Sequence, residues 1–223
     1  MVKNQMMYRL LTIICFVLIL FSSCSKEQYE PVTISGTVID EQQAIPVQNV
    51  TVKLKVQKLE SGAYNANYST LMALPTNKDG KFTFTFKASY YASYKLILEK
   101  DNYFDKEIEI NPDLIVKGQD YNEDYYITPA AWLSVHILNL YSYDETDSFS
   151  YSLSGDLPLC MECCTGTMQT YEGMSIDNTS VCKVKGNSDI SIIWTKTKNH
   201  ITESGIATVF CAVFDTSSYD LSY

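Results

Sequence analysis

Cys160-Met161-Glu162-Cys163-Cys164 places three thiols within five residues, and Cys182 follows further along the chain. Thiols in this pattern have two main chemistries. In an oxidising compartment they pair as disulfides. As thiolates, a C-x-x-C half-site can hold tetrahedral zinc. Zinc would need a second half, and no other C-x-x-C or H-x-H occurs. Disulfides are therefore expected, with free thiols or a thiolate metal site as the remaining alternatives. Cys160, Cys163, Cys164 and Cys182 allow three pairings. Adjacent Cys163 and Cys164 seldom join each other, so Cys182 is expected to take one of them. Each bridge would pin a loop of a small domain by about 2–4 kcal/mol. A redox-active C-x-x-C opens a helix in a βαβ setting, and no such setting surrounds this one. Cys211 lies in the apolar run Val209-Phe210-Cys211-Ala212-Val213-Phe214 and reads as a small buried thiol.

The two histidines offer less. His200-Ile201-Thr202-Glu203 has the H-x-x-E spacing, and so resembles the paired ligands of zinc carboxypeptidases. Such a site needs a third ligand and arginines for the substrate carboxylate. Only His136 is available, upstream, and Arg9 is the only arginine. A polar loop is the expected reading of His200 to Glu203. No G-x-S-x-G elbow, P-loop or D-x-D-x-D-G calcium loop occurs. No catalytic set, metal or cofactor is expected.

A further cysteine, near the start of the chain, carries an address. Lys3 and Arg9 precede an apolar run, Leu10 to Phe21, of about a dozen residues, which suits a secretory signal and is short for a membrane span. Ser22-Ser23-Cys24 follows. This arrangement resembles the lipobox of bacterial lipoproteins, with Phe21 where Leu is commoner. The resemblance implies a signal peptide over 1–23, cleavage before Cys24, and lipid on its sulfur and new amino group. Several acyl chains anchor far more firmly than one. The expected location is an outer-membrane lipoprotein, on the cell surface or the periplasmic face. The membrane is then a partner through the lipid anchor.

Charge narrows the remaining partners. The formal charge is −9, and loss of Lys3 and Arg9 would deepen it by two. Arginine is the residue best suited to bidentate phosphate recognition. A chain without it beyond the signal, and this acidic, is not expected to bind nucleic acid.

Residues 24–31 read as a polar tether. From Val32, period-two alternation takes over: Val32, Ile34, Gly36 and Val38 fall on one face. Val50 to Val56, Lys81-Phe82-Thr83-Phe84-Thr85-Phe86, Tyr94 to Glu99 and Phe104 to Ile110 continue as strands. Asn77-Lys78-Asp79-Gly80 signals a tight turn. Four segments in order carry a resemblance: Ile34-Ser35-Gly36-Thr37-Val38-Ile39-Asp40, Ile45 to Val52, Thr76 to Phe82, and Leu98-Glu99-Lys100-Asp101-Asn102-Tyr103-Phe104. Together they resemble the carboxypeptidase regulatory-like domain of Bacteroidetes-type envelope lipoproteins. That resemblance implies a seven-stranded prealbumin-like sandwich over 32–128, structural or binding in role, without a peptidase site. Asn102 stands where glycine is usual, and Asn tolerates the left-handed conformation. The Tyr-Arg-Gly-Ser ending of transthyretin-like hydrolases of the same fold is absent.

Gln119 to Tyr126 is acidic and tyrosine-rich and reads as a connector, with Tyr125 to Ile127 able to finish the first sandwich. Pro129 breaks pairing. A second sandwich is expected over 129–223. Its strands are Ala131 to Leu138, Ser148 to Leu153, Gly166 to Tyr171, Ile190 to Trp194 and Ile206 to Phe214. Leu133, Val135 and Ile137 share one face of the first, and Trp132, Ser134 and His136 the other. The fold class is all-β: two antiparallel β-sandwiches in tandem. Function is expected to be non-enzymatic recognition of a glycan or an envelope protein, with a structural spacer as the alternative. Tyrosine stacks on sugar rings while its hydroxyl stays wet, and Tyr90, Tyr91, Tyr103 and Tyr125 are the candidate contacts.

Overall fold

The computed structural model describes residues 30–60, 63–87, 89 and 91–223. The signal segment, Cys24, all of the tether but its last two residues, and Tyr90 lie outside the described residues.

Alternation in the sequence becomes alternation in burial. β1 (Pro31–Asp40) buries every second residue from Val32 to Asp40. It pairs antiparallel with β5 (Lys81–Lys87), whose Phe82 and Phe84 turn inward, and parallel with β8 (Asp120–Ile127). Facing this three-stranded sheet is a second one. It contains β2 (Thr51–Glu60), β6 (Tyr91–Glu99) and β7 (Lys106–Ile110) in that order. The two-residue β3 (Ala63–Tyr64) and β4 (Ser69–Pro75) both pair with β2 on its other side. Seven strands of five residues or more thus form the first sandwich, with β3 as an addition. Its core joins Val32, Ile34, Leu54, Phe84, Leu96 and Leu98. Burying side chains of this size contributes about 1.5–3 kcal/mol each.

Gly36 belongs to the buried face of β1, where a β-carbon would meet the Glu123 carbonyl at 2.3 Å and the Tyr125 ring at 2.4 Å. Glycine is what lets the Tyr125 ring cross the sheet here.

Two expectations are corrected. Residues 119–126 are not a connector: Asp120–Ile127 is β8, paired with β1 over eight residues. The sheets are not wholly antiparallel either. After β7 the chain crosses through a 3₁₀ turn at Pro112–Leu114 into the other sheet. It therefore enters beside β1 running the same way.

The second sandwich repeats this device. β9 (Ala130–Leu138) sits between β12 (Asp177–Lys185), antiparallel, and β15 (Thr216–Ser222), parallel. Opposite lies the order β11 (Gln169–Glu172), β10 (Ser148–Ser154), β13 (Ser188–Lys198), β14 (Ile201–Cys211). Leu133, Val135 and Ile137 are buried, while Trp132, Ser134 and His136 face outward. Phe149 packs between Trp194 and Tyr223, with ring centroids 6.2 and 5.4 Å away. Buried Asp147 accepts from the Asn139 amide at 3.0 Å and the Tyr143 N–H at 2.7 Å. Burial opposes its charge, yet these hydrogen bonds prevail and hold its carboxyl below the usual range.

His200 to Glu203 is not a polar loop. Asn199 and His200, at φ 49° and 62°, form the two-residue turn of the β13–β14 hairpin, and Ile201 begins β14. Positive φ at both central positions suits the right-handed twist of the flanking strands. Glu203 pairs with Lys196 across the hairpin at 3.0 Å.

Candidate functional site between the sandwiches

Two residues, Thr128 and Pro129, separate β8 from β9, and the chain is braced on both sides of them. Phe104 N–H donates to the Thr128 carbonyl at 2.9 Å, and Ala130 N–H to the Asn102 carbonyl at 2.8 Å. Gly186 N–H donates to the Pro129 carbonyl at 2.9 Å. The Gln42 amide returns from the first sandwich to the Gly186 carbonyl at 2.5 Å.

Tyr103 is the centre of this junction. Its ring packs on Phe214 of the second sandwich at 5.2 Å. Its hydroxyl donates to buried Asp40 at 3.0 Å. The other Asp40 oxygen accepts the N–H groups of Gln42 and Gln43, both at 2.9 Å. Burial first, then the Asp40 carboxylate, pushes the Tyr103 hydroxyl well above its ordinary pKa. Lys183 of β12 donates to the Tyr103 carbonyl at 2.8 Å and lies over the Phe104 ring at 4.6 Å.

Beside this junction opens a cleft of about 910 Å³. One wall is the end of β6 and its turn: Glu99, Lys100, Asp101, Asn102 and Asp105. Asn49 and Thr51 extend it, and the second sandwich contributes Trp132, Glu162 and Lys183. Asn102 stands at φ 66°, so its turn has the left-handed geometry. Lys53 holds Glu99 through both carboxylate oxygens, at 2.5 and 2.7 Å. Four carboxylates face Lys100 and Lys183, and Lys53 pairs with one of the four, Glu99. The cleft thus keeps a small negative excess, which disfavours anions. A half-buried indole beside carboxylates and amides offers a stacking face and planar hydrogen-bonding groups together.

Of the tyrosines expected to contact ligand, Tyr103 lines this cleft, largely buried at the junction, while Tyr91 and Tyr125 are placed elsewhere. Tyr125 is 4% exposed and packs on Phe82 at 5.6 Å, while Tyr103 is 8% exposed and belongs to the junction. Tyr91 is half-buried against Phe86 and Tyr94. Period two in β6 and β8 turns the Tyr91 and Tyr125 rings toward the core, so packing uses the faces that a sugar would need. Trp132 lines the cleft without any sequence signal beyond its outward position on β9, whereas the charge density of Glu99 to Asp105 is a usable signal for this wall.

The structure joins Cys160 to Cys163 and Cys164 to Cys182. Cys211 is free and buried, and burial raises its thiol pKa. His200 contacts the Tyr143 ring edge-on at 6.4 Å. His136 is held instead between Asp177 of β12 and Asp220 of β15, at 2.9 and 3.1 Å. Among the described residues, no three His, Cys, Asp or Glu side chains are grouped to hold a metal ion, and no helix is long and apolar enough to cross a membrane.

No protein-family model matches the chain, and no curated protein does. Solved structures match at low similarity. A streptococcal ancillary pilin is 12% identical, covering 88% of this chain and 63% of its own, with a TM-score of 0.38. The Bacillus anthracis TIE protein is 9% identical, over 86% and 34%, with a TM-score of 0.36. A variant of the shaft pilin SpaA from Lactobacillus rhamnosus GG is 8% identical, over 84% and 98%, with a TM-score of 0.33. This chain thus spans under two thirds of the first of these proteins and about a third of the second. The class defined by the fold is an all-β protein of β-sandwich domains.

Proposed function

We infer that this protein is a non-enzymatic recognition module of the cell envelope, held there by lipid on Cys24, and that it binds neutral glycans in the cleft between its sandwiches. The observation that carries the reading is the Trp132 indole, half-buried in a cleft walled by carboxylates and amides. Vicinal sugar hydroxyls suit planar groups such as Glu99, Asp101, Asn102 and Glu162, and the apolar sugar face suits an indole. The acidic wall disfavours sulfated or uronic chains. The first sandwich is read as carboxypeptidase regulatory-like on its four sequence segments.

Calorimetric titration with a panel of neutral and acidic oligosaccharides tests this. At least one neutral oligosaccharide should bind, and Trp132→Ala should weaken it tenfold or more, about 1.4 kcal/mol. No binding across the panel, or binding unchanged in Trp132→Ala, would contradict it. A structural spacer is the second reading, favoured by the braced two-residue link. It predicts envelope partners in a pull-down and no oligosaccharide affinity.

A further inference from the structure

The two disulfides sit next to each other but in unlike surroundings. Cys164 is 2% exposed and tied to β12 through Cys182. Cys160 is exposed, and its neighbours Leu159 and Met161 are fully solvent-accessible, while its partner Cys163 is buried. One residue of the short bridge is thus exposed and the other buried. The bridges also differ in what they constrain. A bond between residues 3 apart closes a far smaller loop than one between residues 18 apart, and chain-entropy stabilisation grows with loop length. Backbone ties hold the same loop without the short bond. Lys183 N–H donates to the Glu162 carbonyl at 2.8 Å, and Cys164 N–H to the Lys183 carbonyl at 3.0 Å.

We propose that Cys160–Cys163 is a thiol–disulfide exchange site for an external dithiol, while Cys164–Cys182 is structural. The thiolate of the dithiol attacks Sγ of Cys160, the exposed residue of the pair. The bond to Cys163 breaks, and Cys163 leaves with the electron pair and takes a proton from water. A mixed disulfide now joins Cys160 to the reductant. The second thiol of the reductant, as thiolate, then attacks the reductant's own sulfur in that bond, and Cys160 leaves with the electron pair and takes a proton from water. The dithiol is oxidised by two electrons to a disulfide, and Cys160 and Cys163 are reduced to thiols. Leu159 and Met161 flank the attacked sulfur with apolar surface that an approaching protein can cover. Glu162, between the two cysteines, lines the cleft. The exchange itself does not depend on what the cleft binds.

The test equilibrates the purified protein in dithiothreitol buffers of graded reducing strength, quenches with acid, alkylates, and counts labels at each cysteine by mass spectrometry. Cys160 and Cys163 should label together under conditions at least tenfold less reducing than Cys164 and Cys182. In Cys163→Ser, oxidised glutathione should form its adduct on Cys160. The double variant C160S/C163S should keep its strand signal in circular dichroism and the same Cys164–Cys182 titration. Simultaneous opening of both bridges, or earlier opening of Cys164–Cys182, would overturn the proposal. So would a Cys163→Ser protein without the adduct, or a double variant that does not fold.

Discussion

At the scale of single residues, the fold turns on a few positions whose size or polarity admits no substitute. Gly36 is one, because the Glu123 carbonyl and the Tyr125 ring occupy the space of a side chain. Gly36→Ala should destabilise the protein by about 1–3 kcal/mol, the usual cost of overpacking a filled core. Urea unfolding measures this, and a loss under about 0.5 kcal/mol would contradict the packing described. Asp40 is another, its oxygens shared between the first turn and the Tyr103 hydroxyl. Nothing in the sequence signals that the Tyr103 hydroxyl, far along the chain, reaches Asp40. The candidate tyrosines show the same limit: composition reveals abundant rings, while only the pleat decides which face water.

At the scale of elements, three strands of the second sandwich meet at one imidazole. His136 on β9 lies between Asp177 on β12 and Asp220 on β15. The hydrogen bond to Asp177, then that to Asp220, raises the His136 pKa above its ordinary 6.5. A raised folded-state pKa gives stability that is complete below the unfolded value. That stability disappears as pH rises through the folded value. The melting temperature of the wild type should therefore exceed that of His136→Gln below pH 6.5, and the excess should shrink as pH rises beyond it. An excess that grows with pH would contradict the arrangement.

Strands such as β1 and β9 were legible because one face is buried and one wet, which writes period two into the residue types. β12 and β15 were not. Each flanks a three-stranded sheet and is mostly polar, with Val184 the fully buried residue of β12. β8 was hidden for a similar reason, since Asp120 to Asp124 read as solvent-facing charge while their backbone pairs with β1. The disulfide pairing was open in the sequence because spacing alone does not bring Cys182 beside Cys164; β12 does.

At the scale of the whole molecule, Tyr103, Phe214, Lys183 and Gln42 fasten the two sandwiches across a two-residue link. Each such hydrogen bond adds about 0.5–1.5 kcal/mol, and the bonds act together only when both sandwiches are folded. Scanning calorimetry should accordingly show one cooperative transition, and two well-separated transitions would contradict the coupling. The cleft exists because of this junction. Its walls come from β6, β9, β12 and the loop carrying Glu162, which no local sequence pattern connects.

Trp132 can report on that cleft directly. With Trp194 replaced by phenylalanine it becomes the sole indole, since the chain has two tryptophans. Fluorescence titration of this protein with neutral oligosaccharides should give a saturable change in Trp132 emission, with acidic oligosaccharides giving none. Flat emission across all neutral oligosaccharides would contradict a glycan site between the sandwiches.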